Sequence, residues 1–236
     1  MFRFAFLVFV VLSVVAVGCS GGTTYVDSSQ SSSGITVTGE GSVFGEPDVA
    51  LLTVGVEANA ATVSEARTQA SESMDAMRLA LTGGGVADED LQTSRFSIQP
   101  RYDPTKQQVE IVGFTVSNIM TVKIRDIDAT GELIDAAVVA GGDRARVESL
   151  TFTIDDPSAL EDQAREDAMA DAKAKAETLA KAGGVALGSP RSISEGGGAI
   201  PVSFDAERLQ ATDAATSIDI GQLEVQISVS VVYDVD

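Results

Sequence analysis

The sequence predicts an α+β fold: a mixed β-sheet with two β-α-β-like units and one long alanine-rich helix. Three observations carry that expectation. Several runs alternate apolar and polar residues, the period of a half-buried strand. Other runs repeat apolar residues at helical spacing and open on capping signals. One layout also occurs twice. Leu51 to Ile98 and Leu150 to Ile193 each read as strand, short turn, capped helix, Gly-Gly-Val and strand. That repetition is consistent with duplication of a β-α-β unit, whose crossover is right-handed when its strands are parallel.

The chain opens with Met1-Phe2-Arg3 and an apolar stretch from Phe4 to Val17, interrupted only by Ser13. A stretch of about 14 residues is too short for a helix spanning the bilayer, which needs about 20. It has the length and basic start of a secretory signal. Ala16-Val17-Gly18 then places small residues just before Cys19, the single cysteine. That pattern resembles a lipobox, with Ala16 where leucine is usual, and makes Cys19 the expected lipidation site and mature N-terminus. The expected organisation is a signal peptide over 1–18, a lipidated Cys19 with a flexible Ser/Gly linker over 19–34, and a folded domain over 35–236.

Within that domain, Ile35 to Gly41 and Val49 to Ala58 alternate as strands around the break Glu46-Pro47-Asp48. Thr62-Val63-Ser64-Glu65 is a capping box, and Ala66, Ala70, Met74, Met77 and Leu81 follow on one helical face up to Gly83-Gly84-Gly85. Phe96 to Tyr102 and Val109 to Arg125 read as strands joined by a turn at Asp103-Pro104. A short helix runs from Gly131 to Ala140, and Val147 to Ile154 is the next strand.

The longest helix is expected from about Pro157 to Ala182, with Asp156 as its cap and a second capping box from Ser158 to Glu161. Leu160, Ala164, Ala168, Ala172 and Ala176 give it a smooth face, suited to a sheet or to another copy of the chain. Glu161–Arg165, Asp171–Lys175 and Glu177–Lys181 are favourable i,i+4 pairs. Regularity is lost from Gly196 to Asp219, a length of connection that is usually functional or disordered. Gln222 to Val235 closes the chain as a strand with Leu223, Val225, Ile227, Val229 and Val231 on one face.

Composition bounds the chemistry. The chain has no histidine, so the usual base near neutral pH and every Ser-His or Cys-His nucleophile pair are excluded. One cysteine allows no intramolecular disulfide. A net charge of −19 argues against nucleic acid, whose phosphates need clustered Lys and Arg.

The remaining motifs are weak. Asp155-Asp156 and the pair Asp126 and Asp128 each precede a helix, where capping explains acids better than a metal does. Gly39-x-Gly41 with Gly45 is no dinucleotide fingerprint, because no helix follows; strand glycines mark bulges or close backbone approach. Gly83 to Gly85 and Gly196 to Gly198 lack the Lys-Ser/Thr of a phosphate loop. Tyr102 reads as a strand-end tyrosine or a surface anchor. No catalytic, cofactor-binding or metal-ligating residue is assigned, and no cofactor is expected.

The ordered set of motifs resembles the SIMPL-domain family of extracytoplasmic proteins. It comprises Ile35-x-Val37-x-Gly39-x-Gly41, Pro47-Asp48-x-Ala50, Glu65-Ala66, Gly85-Val86, Asp90-Leu91-x-Thr93 and Pro100-x-Tyr102. It continues with Gly113-Phe114-x-Val116-x-Asn118, Lys173-Ala174-x-Ala176-x-x-Leu179-Ala180 and Val232-Tyr233. Ile220-Gly221 departs from the Pro-Gly that relatives often show. The resemblance implies an exported α+β protein, linked in some members to oxidative-stress tolerance and in others to immunogenicity, with no agreed catalytic residues. The expectation is a lipid-anchored, non-enzymatic envelope protein in the periplasm or at the cell surface. It would work as a homo-oligomer or by binding envelope partners. The alternative is a carboxylate-based metal- or small-molecule-binding enzyme.

Overall fold

A computed structural model describes residues 34–105, 110–196, 202–203 and 220–236. The signal sequence, Cys19 and the linker lie outside the described residues, as does most of the stretch from 197 to 219. Two hydrophobic cores, each made of helix on sheet, hold most of the buried residues.

The first core is built on β1 (Ile35–Gly45), β6 (Leu187–Gly196) and β8 (Leu223–Val235), in the order β1-β8-β6 with β7 (Val202–Ser203) also on β8. Ile35 pairs with Tyr233 and Gly45 with Leu223, so β1 and β8 run antiparallel along their whole length. The expected apolar face of β8, from Leu223 to Val231, is buried. It lies against α3 (Ser158–Gly183), whose Ala164, Ala168, Ala172, Ala176 and Ala180 are buried at every i+4 step.

Glycines on β1 set the helix–sheet distance. A Cβ at Gly39 would lie 2.0 Å from the Ala168 carbonyl oxygen, and one at Gly41 would lie 2.1 Å from that of Ala164. A Cβ at Gly45 would meet the Leu160 side chain at 2.5 Å. Alanine on the helix and glycine on the strand thus let main chain approach main chain. The alanine face is core, so it does not serve as the outer docking face considered from sequence.

The second core uses β2 (Val49–Ala60), α1 (Val63–Gly83), β3 (Leu91–Tyr102), β4 (Ile111–Ile124), α2 (Thr130–Gly141) and β5 (Ala145–Thr153). The sheet order is β3-β4-β2-β5, and every pairing is antiparallel. Strands β2 and β3 are parallel but separated by β4; β4 and β5 are parallel but separated by β2. This is the split β-α-β-β-α-β arrangement of ferredoxin-like folds. Leu52, Val54, Val56, Val116, Met120 and Val122 meet Ala66, Ala70, Met74, Met77 and Leu81 of α1 and Leu133, Ile134 and Ala137 of α2. The Thr62 hydroxyl caps α1 as its capping box predicts, accepting from the Glu65 N–H at 3.3 Å.

The α+β class holds, with two corrections. The strands form two wholly antiparallel sheets, not one mixed sheet. Of the two β-α-β units read from sequence, β2-α1-β3 is one unit in split form. The second, around α3, starts on β5 in one sheet and ends on β6 in the other. The true second unit is β4-α2-β5. The repeated Gly-Gly-Val is a shared helix stop. The Val86 N–H reaches the Leu81 carbonyl at 3.1 Å and the Val185 N–H reaches that of Ala180 at 3.1 Å, the six-to-one bond of a Schellman cap. It reports local cap chemistry and not topology.

Candidate docking groove at a sheet edge

Each sheet has outer strands whose main-chain groups need cover or a partner. On β1 the cover is α3. The Glu40 N–H donates to Asp171 Oδ2 at 2.9 Å, and Lys175 Nζ donates to the Thr38 carbonyl at 3.0 Å. The Asp171 carboxyl is held below its ordinary value, chiefly by Lys175 and also by the Glu40 N–H.

Strand β3 is the contrasting case. It is the outer strand of its sheet, and among the described residues no strand pairs with its other side. Helix α1 packs on β2, β4 and α2 and leaves the helix-side face of β3 beyond its edge. That face carries Phe96, 52% exposed, and Ile98, 42% exposed. A groove of about 500 Å³ runs between Phe96 and α1, lined by Arg67, Thr68, Ser71, Glu72 and Asp75 on the helix and by Phe96 and Asn118. Arg67, Ser71 and Asp75 recur at i+4 steps, and Leu79, 76% exposed, continues the same helical row. Behind the groove, Asn118 Oδ1 is buried and has no hydrogen-bond partner among the described residues. Buried acceptors of this kind ordinarily find a donor.

Sequence periodicity identifies β3 as a strand but carries no sign that it lies at an edge. Nothing in the residue pattern singles out Asn118. Its place as a polar residue on the apolar face of β4, opposite Val56 and Phe96, is visible only once the register is known.

The sequence candidates fall elsewhere. Asp155 and Asp156 are adjacent but do different things. Asp156 Oδ1 accepts from the Ser158 N–H at 3.1 Å, just ahead of α3, whose N-cap is Pro157 and not Asp156. Asp155 is an ion-pair centre: Lys123 Nζ lies 2.5 Å from Oδ1 and Arg125 2.9 Å from Oδ2. Both carboxyls sit below the ordinary aspartate value, Asp155 chiefly through Lys123 and Asp156 through Ser158. Arg125 also grips Asp90 with two hydrogen bonds at 2.9 Å, which keeps its guanidinium charged. The Asp155 N–H donates to Asp48 Oδ1 at 2.7 Å, so the cluster ties together the two segments that link the sheets.

Asp126 and Asp128 do not cap α2 with their side chains; the helix follows a short 3-10 turn, Ile127–Ala129. They line a cleft of about 590 Å³ with Glu46, Asp48, Arg125 and residues 220–222. The Ser158–Glu161 box is not formed as written, since Glu161 turns to Arg165 at 3.2 Å. Asp171–Lys175 pairs at 2.6 Å, whereas Glu177 lies 3.9 Å from Lys173. Tyr102 ends β3 half exposed, opposite Ile111. Among the described residues no group of three metal-ligating side chains converges, and no helix is long and apolar enough to cross a membrane.

Comparison with known proteins places this architecture. The chain is 35% identical over 212 residues to the 26 kDa periplasmic immunogenic protein of Brucella melitensis biotype 1, covering 85% of this chain and 84% of that one. The protein of the same name from Brucella abortus matches with the same identity and coverage. The uncharacterized protein YggE of Escherichia coli K12 is 29% identical over 146 residues, 62% of this chain and 58% of its own. The SIMPL family model, described as a protein of unknown function (DUF541), matches residues 35–233. The chain belongs to the SIMPL family.

Proposed function

We propose that this protein is a non-enzymatic docking module of the cell envelope. A lipid on Cys19 holds it to a membrane on the extracytoplasmic side, and its sheet edges and exposed faces meet further copies of itself or other envelope proteins. The observation that carries this reading is the edge of β3, unpaired among the described residues and beside a groove walled by Phe96 and the polar face of α1, in a molecule whose β1 edge is closed by α3. Natural proteins cover or pair such edges, so one left open beside exposed Phe96 and Ile98 favours a partner. The names of the Brucella relatives support a periplasmic setting, and the family resemblance supports a link to envelope or oxidative-stress tolerance.

The carboxylates argue in the same direction. A carboxyl acting as a general acid near neutral pH needs a raised pKa. Asp103, Asp155, Asp156 and Asp171 are all shifted downward by hydrogen bonds or basic neighbours. That is the signature of structural pairing and caps.

Light scattering on the purified protein in low and high salt tests self-assembly. A discrete oligomer that Phe96→Glu converts to monomer is the expected result for assembly through β3. A stable contact of that kind buries roughly 1,200–2,000 Å². A monomer in both salts removes self-assembly and leaves partner binding alone to carry the reading.

A further inference from the structure

We infer that the groove between α1 and β3 binds an extended, basic peptide segment of another protein, which adds to β3 as a fifth strand of that sheet. The inference rests on the docking reading above and names its occupant.

Three features of the surface specify the ligand. Between its irregularity at Thr93–Arg95 and Pro100, which has no N–H, the outer edge of β3 offers main-chain donors and acceptors around Phe96 and Ile98, which an extended backbone meets in register. Phe96 and Ile98 stand two residues apart on the helix side of that strand, so they call for apolar side chains at alternate positions of the ligand. Glu72 and Asp75 on the opposite wall, in a molecule of net charge −19, call for positive charge. Together they describe a strand with apolar residues on one face and Lys or Arg side chains among them.

Charge also decides between a foreign segment and a second copy. Two molecules of −19 repel as they approach, whereas a basic segment is drawn in and its association is accelerated. Arg67 on the helix wall is the one basic residue in the lining, set at the far end of the row from Asp75. The ligand's positive charge therefore sits toward the Asp75 end.

The test uses a short acetylated peptide alternating valine and lysine, labelled for fluorescence anisotropy, with the purified full-length protein in mild detergent. It should bind saturably and weaken as salt is raised. A valine–glutamate peptide, and the lysine peptide N-methylated on its backbone, should each bind at least about tenfold more weakly.

Phe96→Ala should weaken binding by a similar factor, while Ile193→Ala, an equally exposed apolar residue on β6, should leave it unchanged. Asn118→Leu removes a buried acceptor that has no partner among the described residues, so it should leave the melting temperature equal or higher. Equal binding of the acidic or N-methylated peptides, or indifference to Phe96→Ala, overturns the inference. If no peptide binds and the protein is an oligomer broken by Phe96→Glu, the groove belongs to a second copy. The inference then fails while the docking reading stands. If no peptide binds and the protein is a monomer, both fail.

Discussion

The main-chain N–H of Glu40 donates to the carboxylate of Asp171 at 2.9 Å, so the helix that covers the face of the first sheet also closes its edge. Lys175 completes the closure by donating to the Thr38 carbonyl while it pairs with Asp171 at 2.6 Å. Removing both side chains, Asp171→Ala with Lys175→Ala, uncovers β1 without touching the buried alanine row. The double variant should remain folded by circular dichroism and form larger species by light scattering at concentrations where the wild type does not. An unchanged size distribution would show that the edge needs no such cover.

The contact between Gly39 and the Ala168 carbonyl leaves no room for a methyl group, since an added Cβ would lie 2.0 Å from that oxygen and 2.7 Å from the Ala172 Cβ. The obstacle is largely backbone, so α3 must shift off the sheet. Overpacking of this kind costs about 1–3 kcal/mol, and occasionally more. Gly39→Ala should therefore lower the melting temperature by several degrees. Gly196→Ala, where an added Cβ meets nothing within 4 Å, should be neutral. Equal melting points for the two variants would contradict the packing described. Ala168→Glu should unfold the first core outright, because the residue is fully buried.

Much of this architecture is legible in the residues, and the limits are physical. Strand and helix periods report which face of each element is apolar, and the apolar faces expected for β8, α1 and α3 are the buried ones. Of the two roles read for Gly39 and Gly41, a bulge or a close backbone approach, the structure shows the close approach. Periodicity does not say which sheet a strand joins. The repeated Gly-Gly-Val therefore suggested a second β-α-β unit around α3, although it encodes only a helix cap. The groove was illegible for the same reason. An edge is a property of sheet order, and Asn118 becomes unusual only when β4 is seen to turn it toward Val56 and Phe96 beneath α1.

Asp155 should contribute to the acid limb of unfolding. Lys123, and after it Arg125, hold its carboxyl below the ordinary aspartate value. A depressed folded-state pKa means that the contribution is complete above the unfolded-state pKa of about 3.9 and is lost as the pH falls through the lower folded value. Asp155→Asn should lower stability at pH 7 and flatten the loss of stability between about pH 4 and pH 2. Thermal melts across that range decide it: parallel pH curves for wild type and variant would show that the pair adds nothing. Exposure of both partners keeps the expected effect small.

Salt should stabilise the fold as a whole. With a net charge of −19 the native state repels itself, and raising ionic strength shortens the Debye length from about 10 Å at 0.1 M to about 3 Å at 1 M. The exposed ion pairs lose strength under the same screening, but each contributes little, so relief of the excess negative charge dominates. Melting temperature should rise between 0.1 M and 1 M sodium chloride. A flat or falling value would mean that the local pairs, such as those of Arg165 with Glu161, Asp162 and Glu195, outweigh the net charge.

Lipidation at Cys19 separates a tethered module from a free one. The apolar run ending Ala16-Val17-Gly18 places the single cysteine where a lipobox requires it. Several acyl chains on one residue anchor firmly, whereas a single chain binds only marginally. In cell fractionation the wild type should accompany membranes, and Cys19→Ser should move to the soluble fraction with its fold and melting temperature unchanged. Mass spectrometry should find acylated Cys19 as the mature N-terminus. A soluble wild type, or an unmodified N-terminus beyond Cys19, would release the domain from the membrane and leave diffusion, rather than tethering, to bring it to its partners.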